Sequence, residues 1–210
     1  MKVLLINGSA NKNGCTFTAL NEVATTLEKE NIETEILQLG NVPLRDCCGC
    51  LSCKNKTIGK CVFNDDIVNV VIEMAKTFDG FIFGSPVYYA HPSGRIFSLL
   101  DRVFFAGSSA FAYKPAGAVV SARRAGTTAS FDVLNKYFSI NNMPIVSSQY
   151  WNNVHGSAPE DVQKDLEGLQ TMRTLGRNMA WLLKCIELGK QNGLLRPEDE
   201  ERMRTNFIRE

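Results

Sequence analysis

This sequence lacks both a long apolar run and an excess of either charge. No segment approaches the roughly 20 consecutive apolar residues that a membrane helix needs. The chain carries 23 basic and 22 acidic residues, for a net charge of +1. The first residues enter a strand pattern at once, without the apolar core of a signal peptide. We therefore expect a cytoplasmic protein that binds neither nucleic acid nor a membrane surface.

The loop after the first strand lacks the two common nucleotide fingerprints. Lys2 to Asn7 is a short apolar run that predicts a buried strand, and a helix pattern starts near Thr16. A GxGxxG fingerprint needs three spaced glycines, whereas this loop has Gly8 and Gly14. The lysine of a Walker A loop is also missing before Thr16. Classical NAD binding and ATP binding are therefore disfavoured.

The same loop has the composition of a site for a single phosphate. Where a strand feeds directly into a helix, backbone amides and the helix dipole favour an anion. Ser9 and Thr16 add hydroxyl donors on either side of the amides of Asn11 to Cys15. A terminal phosphate suits this loop, and an ordinary polar turn without a ligand explains the same residues about equally well.

Strand and helix patterns alternate along the rest of the chain. Apolar periodicity predicts strands over 32–39, 80–84, 116–121 and 144–148, and helices over 16–30, from 65 onward, and over 93–105 and 127–138. The segment 159–190 is predicted as one long helix, or as two with a kink near Gly168 or Gly176. A further helix is predicted within 197–207. This alternation predicts one α/β domain over 1–210, with a parallel sheet covered on both faces. The domain would carry a long cysteine-rich loop over 40–64 and a C-terminal helical extension over 159–207.

A proline and two tyrosines follow the third predicted strand. Pro86 fixes the backbone, and Tyr88 and Tyr89 offer the flat apolar wall that a planar cofactor needs. Paired tyrosines at such a position are often packing residues. Ligands of open α/β sheets bind beyond the carboxyl ends of the strands, where the loops after strands one, three and four would meet. The phosphate loop at the same edge therefore favours a cofactor site.

Five of the seven cysteines lie between Cys47 and Cys61. In a reducing compartment such crowding indicates metal or redox chemistry more than disulfides. Cys47, Cys50, Cys53 and Cys61 form C-x2-C-x2-C-x7-C, a compact spacing that suits an iron-sulfur cluster. Cys48 lies outside that register. A structural zinc site and a metal-free loop stay open as alternatives.

The segments GSANKNGCT and GSPVYY resemble the phosphate loop and the flavin-ring loop of the flavodoxin-like, NADPH-dependent FMN reductases, over roughly residues 1 to 150. The resemblance implies a doubly wound sheet of five parallel strands with helices on both faces, and an oxidoreductase that binds FMN. Ala10 and Asn11 stand where the family usually has proline and arginine. The implied FMN-binding residues are Ser9, Asn11, Gly14, Cys15, Thr16, Pro86, Val87, Tyr88, Tyr89, Ser121, Ala122, Arg123 and Gly126.

The cysteine motif resembles that of the iron-sulfur flavoproteins, in which it holds a [4Fe-4S] cluster that passes electrons to FMN. Because the loop after the second strand belongs to the ligand edge, we expect cluster and flavin to be neighbours. The resemblance also implies a homodimer or homotetramer, with Tyr150 and Trp151 as a candidate apolar anchor. Arg123 and Arg124 would bind the phosphate of a nicotinamide cofactor or stabilise reduced flavin, unless they form an ordinary solvated loop.

Two functions follow from these expectations. In the first, NAD(P)H or a reduced carrier reduces FMN, which then reduces a small-molecule acceptor such as a quinone or a free flavin. In the second, the protein relays single electrons between cluster and FMN for a redox partner protein. Neither function requires a side-chain nucleophile, because the cofactor carries the chemistry. A ligand-free redox or zinc module would leave the Ser85–Tyr89 segment unexplained.

Overall fold

Strands and helices alternate along the chain, as the periodicity predicts. The computed structural model describes residues 1–54, 59–201, 203, 205, 207 and 208. The strands are β1 Lys2–Asn7, β2 Glu33–Gln38, β3 Gly80–Tyr88, β4 His91–Pro92, β5 Ala116–Ala122 and β6 Asn153–His155. The helices are α1 Cys15–Lys29, α2 Val68–Ala75, α3 Gly94–Gly107, α4 Thr127–Ile140, α5 Pro159–Val162 and α6 Leu166–Gln191.

Five strands form one parallel sheet in the order β2-β1-β3-β5-β6. This order reverses direction between β1 and β3, which is the strand order of flavodoxin-like doubly wound folds. The two-residue β4 pairs antiparallel with the end of β3 and adds a sixth strand beside the path. The predicted fold class is therefore confirmed, with one short strand more than expected.

The sheet separates two apolar layers. Leu4 and Ile6 face the layer formed with α2, α3 and α4, whereas Val3 and Leu5 face the layer formed with α1 and α6. All four side chains are fully buried, which explains why β1 reads as an unbroken apolar run. Each such side chain contributes roughly 1.5–3 kcal/mol on burial, so the two layers hold the sheet edge in place.

The predicted fifth strand is wrong in position. Within 144–148 the structure has only an isolated bridge from Ile145 to Ala116, and the fifth parallel strand is β6. Pro144 has no N–H to donate, which limits this apolar stretch as a strand. The true strand has one fully buried side chain, Val154, so its sequence carries no apolar run.

Other element ends also differ from the prediction. β3 continues beyond 84 to Tyr88, and α2 begins at Val68, with the Asp66 carboxylate accepting from the Val68 N–H. The C-terminal helical segment consists of two helices, which was one of its two predicted forms, but they divide at 163–165. The Asp165 carboxylate caps α6 by accepting from the Gly168 N–H at 2.9 Å.

The end of the chain differs as well. The described positions of 197–207 contain no helix, and residues 202, 204 and 206 lie outside the described residues. Among the residues that the structure describes, no helix combines the length and apolar character that a bilayer span requires.

Candidate functional site

A cleft of about 280 Å³ opens at the carboxyl ends of β1, β3 and β5, and we call it the sheet-edge cleft. Eleven of the thirteen residues predicted to bind FMN line it, although they come from three separate segments of the chain. The lining residues are Ser9, Asn11, Gly14, Cys15, Thr16, Pro86, Val87, Tyr88, Ser121, Ala122, Arg123, Gly156 and Ser157.

The amino end of α1 opens into this cleft without a capping side chain. Its N-cap is Gly14, and the first turn contains no acidic residue. The first N–H groups of a helix have no partner within the helix, and the dipole makes this end positive. The hydroxyl oxygens of Thr16 and Ser121 lie 2.8 Å apart, so one donates to the other and one proton remains for a ligand. The arrangement therefore suits an anion.

A pair of amide side chains holds the loop after β1 in place. Asn7 is fully buried; its Nδ2 donates to Gln38 Oε1 at 2.6 Å, and its Oδ1 accepts from the Ser9 N–H at 3.1 Å. Gln38 Nε2 donates to the Ser9 carbonyl at 2.7 Å. Ser9 Oγ accepts from the Asn11 N–H at 3.1 Å, which leaves the hydroxyl proton of Ser9 for the cleft. Sequence reasoning missed Asn7 and Gln38, although each is a polar residue that ends a strand.

The end of β3 forms the opposite side of the cleft. Ser85 is fully buried; its hydroxyl donates to the Pro86 carbonyl at 2.9 Å and accepts from the Ser93 N–H at 2.9 Å. Ser93 Oγ donates to the Gly8 carbonyl at 2.8 Å, which ties this segment to the loop after β1. Tyr88 stays half exposed and faces the cleft. These contacts hold an apolar wall beside the anion end.

Two predicted residues lie outside the sheet-edge cleft. Tyr89 is in the turn between β3 and β4 with a φ of 62°, and it is fully exposed. It lines a neighbouring surface cleft with Arg123 and Arg124. Gly126 has a φ of 93°, and a Cβ there would lie 2.8 Å from Val87 Cγ1. Gly126 therefore packs directly against Val87, which lines the cleft. Its positive φ and this close contact both favour glycine.

Gly156 and Ser157 complete the cleft, and sequence reasoning missed both. They follow β6, and the Gly156 N–H donates to the Ala122 carbonyl at 3.0 Å. The misplaced fifth strand concealed them, because a correct β6 would have put this loop at the ligand edge. Cys15 Sγ contacts the Gly156 carbonyl at 3.5 Å, and burial raises the pKa of Cys15, so its thiol stays neutral.

The cysteine motif lines a second cleft, which we call the cysteine cleft. Its walls are Cys47, Cys48, Cys50, Leu51, Cys53, Cys61, Val62, Phe63, Arg102, Phe105 and Ala106. Burial raises the pKa of Cys53, whereas hydrogen bonds from Ser52 lower the pKa of Cys50. All four motif thiols thus share one cleft, which fits a soft metal by donor type. Within the described part of the chain, however, no three cysteine, histidine or acidic side chains are grouped closely enough to hold a metal ion.

The two clefts are separate within one chain, and the expected proximity of cluster and flavin stays a prediction. They share no lining residue. The cysteine cleft contacts α3 at Arg102, Phe105 and Ala106, and Lys54 Nζ donates to the Phe105 carbonyl at 3.0 Å. A helix rises about 1.5 Å per residue, so these residues lie roughly 14–20 Å along the axis from Ser93 at the ligand edge. The cysteine-rich loop runs away from the carboxyl edge of the sheet because it packs along α3.

Comparison with known proteins agrees with this geometry. The profile of the family described as NADPH-dependent FMN reductase matches residues 1–157. The chain belongs to this family. An iron-sulfur flavoprotein of Methanocaldococcus jannaschii is 33% identical over 199 residues, which cover 89% of this chain and 100% of the relative. An iron-sulfur flavoprotein of Archaeoglobus fulgidus is 35% identical over 102 residues, about half of each chain. This FMN reductase family member thus falls in the iron-sulfur flavoprotein branch.

Solved structures show the same fold at low sequence identity. The crystal structure of RosB with bound 8-demethyl-8-formylriboflavin-5'-phosphate has a TM-score of 0.67 and 14% identity, covering 99% of this chain and 92% of that one. A flavodoxin from the domain Archaea has a TM-score of 0.58 and 14% identity, covering 88% and 99%. These likenesses establish that the family member is flavodoxin-like in architecture.

Proposed function

We propose that this chain is an FMN-dependent oxidoreductase whose cofactor occupies the sheet-edge cleft. The observation that carries the proposal is the uncapped, acid-free start of α1, which opens into the cleft between the hydroxyls of Ser9 and Thr16. A phosphate there would accept hydrogen bonds from backbone N–H groups and from both hydroxyls. The flavin ring would lie along Pro86 to Tyr88. Membership in the FMN reductase family supports FMN as the ligand.

We also propose NAD(P)H as an electron donor. FMN held between the Ser9–Thr16 loop and Pro86 to Tyr88 would supply two-electron chemistry: it would take a hydride from the nicotinamide, and an acceptor such as a quinone would receive the two electrons with two protons, one of them from solvent. The chain binds and orients the reactants. Arg123 and Arg124 are exposed beside Tyr89, where guanidinium groups could bind a nicotinamide cofactor's phosphate.

The cysteine cleft, in this proposal, holds a [4Fe-4S] cluster on Cys47, Cys50, Cys53 and Cys61. The donor set of four thiols in one cleft supports it, as do the names of the relatives. The exposed part of the loop would have to close around the metal. Zinc on the same four thiolates is the alternative, and metal analysis separates the two.

A second candidate function is that of an electron carrier without a dedicated organic substrate. It is favoured by the exposure of Cys47 and Cys50 in a cleft that shares no residue with the sheet-edge cleft. A redox partner protein could therefore reach the cysteine loop while the flavin cleft is occupied.

We further propose that the chain assembles as a homodimer or homotetramer. Tyr150 and Trp151 are about half exposed and pack edge to face with ring centroids 4.7 Å apart, which is a rigid apolar surface for a neighbouring copy. The mass of the FMN-loaded protein in solution at micromolar concentration tests this. A monomeric mass would overturn it.

Anaerobic turnover assays test the proposed function. Purified protein would be supplied with NADH, NADPH or a one-electron reductant, with a quinone as acceptor. Turnover with a nicotinamide indicates the enzyme, whereas reduction by the one-electron donor alone indicates the carrier. Cys50→Ser should lose iron and slow one-electron reduction while FMN stays bound. Cys48→Ser is the matched control, because Cys48 lies in the same loop but outside the motif. Equal rates in wild type and Cys50→Ser would leave a flavin reductase without a working cluster.

A further inference from the structure

Arg102 is a buried arginine in the floor of the cysteine cleft. Only 2% of its surface is exposed, although it carries a charge. The Asp66 carboxylate forms an ion pair with its Nη1, and this carboxylate is buried as well. A guanidinium keeps its proton in proteins, and the Asp66 carboxylate supplies its countercharge here. The guanidinium is therefore a permanent positive charge beneath the thiols.

The guanidinium joins the two ends of the cysteine loop. Nη1 donates to the Arg45 carbonyl at 3.1 Å, just before the first motif cysteine, and Nη2 donates to the Phe63 carbonyl at 3.4 Å, just after the last. Between these contacts, Nε and Nη2 each lie 3.4 Å from Cys61 Sγ. One side chain thus fixes both ends of the loop and the sulfur of its last cysteine.

Asn69 fixes the backbone of the same cysteine. Its Oδ1 accepts from the Cys61 N–H at 2.9 Å, and its Nδ2 donates to the Cys61 carbonyl at 2.9 Å. Cys61 is therefore held at its sulfur and at its main chain. Cys47 and Cys50, in contrast, are exposed. The four motif thiols thus differ in how firmly the protein positions them.

An ordinary structural ion pair does not explain the two N–H groups aimed at Cys61. Asp66 already supplies the countercharge. A neutral thiol is a weak acceptor, so hydrogen bonds to it would compensate little for the burial of two N–H donors. A thiolate that ligates a metal is a charged acceptor, and hydrogen bonds to such sulfurs help set cluster potentials. The contact therefore fits a sulfur that becomes a ligand.

We propose that Arg102 is a positioning residue for the metal centre: it fixes the sulfur of Cys61 as a ligand, and its N–H groups raise the reduction potential of the centre. This inference rests on the proposed cluster in the cysteine cleft. It adds a role for a residue outside the cysteine motif, and one that acts through a ligand.

The test compares wild type, Asp66→Asn/Arg102→Gln and Asp66→Asn after anaerobic reconstitution with iron and sulfide. The double variant removes both charges together, so that neither is left buried alone. We expect it to lose iron to a chelator roughly 10- to 100-fold faster, as for other residues that orient ligands. Its midpoint potential should become more negative, whereas FMN content stays at the wild-type level. Asp66→Asn keeps both N–H contacts with sulfur, so its midpoint should stay at or above that of wild type.

A further variant tests the same contact if the double variant does not fold. Arg102→Lys keeps the positive charge but loses the fork that contacts sulfur twice, so its midpoint should lie below that of wild type. If wild type takes up iron and the variants match its midpoint and its rate of iron loss, Arg102 has no positioning role and the cluster proposal stands. If wild type takes up no iron, the cluster proposal falls and this inference falls with it.

Discussion

Replacing both Ser9 and Thr16 by alanine should weaken FMN binding strongly. The two hydroxyls flank the uncapped start of α1 in the sheet-edge cleft. Ser9 Oγ already accepts a hydrogen bond from the Asn11 N–H, so its own proton is available to a ligand. The Thr16 and Ser121 hydroxyls are bonded to each other, so together they offer one proton. The double variant therefore removes one donor outright and leaves Ser121 to replace the other.

The size of the effect follows from this count. A hydrogen bond to a charged group is worth roughly 1.5–3 kcal/mol, so two lost donors would cost about 3–6 kcal/mol. Because Ser121 replaces the second donor, the expected loss is that of one donor, about 1.5–3 kcal/mol, or roughly 10- to 150-fold in Kd. Adding Ser121→Ala to the double variant should increase the loss further, since no hydroxyl then replaces that of Thr16.

Titration of the apoprotein with FMN, followed by the quenching of flavin fluorescence, measures the change. Thr18→Ala is the matched control, because Thr18 is in the same helix but donates to the Gly14 carbonyl at 3.3 Å and does not line the cleft. Its Kd should equal that of wild type. Thermal unfolding of each apoprotein separates a lost contact from a disordered loop. An unchanged FMN affinity in the double variant would refute the placement of the phosphate.

Three further predictions concern the frame of the cleft and its surroundings. Gly8→Ala should lower the free energy of unfolding by about 1–3 kcal/mol in urea titrations, because a Cβ there would lie 2.9 Å from the Gly84 carbonyl oxygen; an unchanged midpoint would contradict this. Asn7→Ala should weaken FMN binding indirectly, because Asn7 does not line the cleft but holds Ser9 in place. A wild-type affinity would show that the loop keeps its shape without Asn7. Burial and a hydrogen bond with Asp101 raise the pKa of Tyr137, so the unfolded chain ionises first and stability should fall as the pH rises above about 10. Tyr137→Phe should remove that alkaline slope, and a slope that persists would assign it to another group.

Apolar patterning was sufficient to predict the strands that are buried on both faces. β1, β3 and β5 read as apolar runs because helices cover both sides of the sheet at their positions. β6 lies at the edge, spans three residues and buries Val154 fully, so its partnership with β5 rests on backbone hydrogen bonds that the sequence does not display. The fifth strand was therefore predicted at the apolar stretch 144–148, which lies shortly before β6 in the sequence.

The site followed from the topology wherever the strands were right. Loops after β1, β3 and β5 meet at one edge, which brought eleven predicted residues around one cleft. The burial of Arg102 could not be read from the sequence, since its countercharge Asp66 is 36 residues away and an arginine within a helix usually faces solvent. The separation of the two clefts was likewise hidden, because the direction of a long loop depends on contacts along α3.

The absorption spectrum of anaerobically purified protein, recorded before and after reduction, tests the central claim most directly. The account predicts flavin bands together with the broad absorption of an iron-sulfur centre, and both should bleach on reduction. Cys50→Ser should keep the flavin bands and lose the broad absorption. A protein that is colourless as purified and binds no FMN when the cofactor is added would contradict the assignment of the sheet-edge cleft.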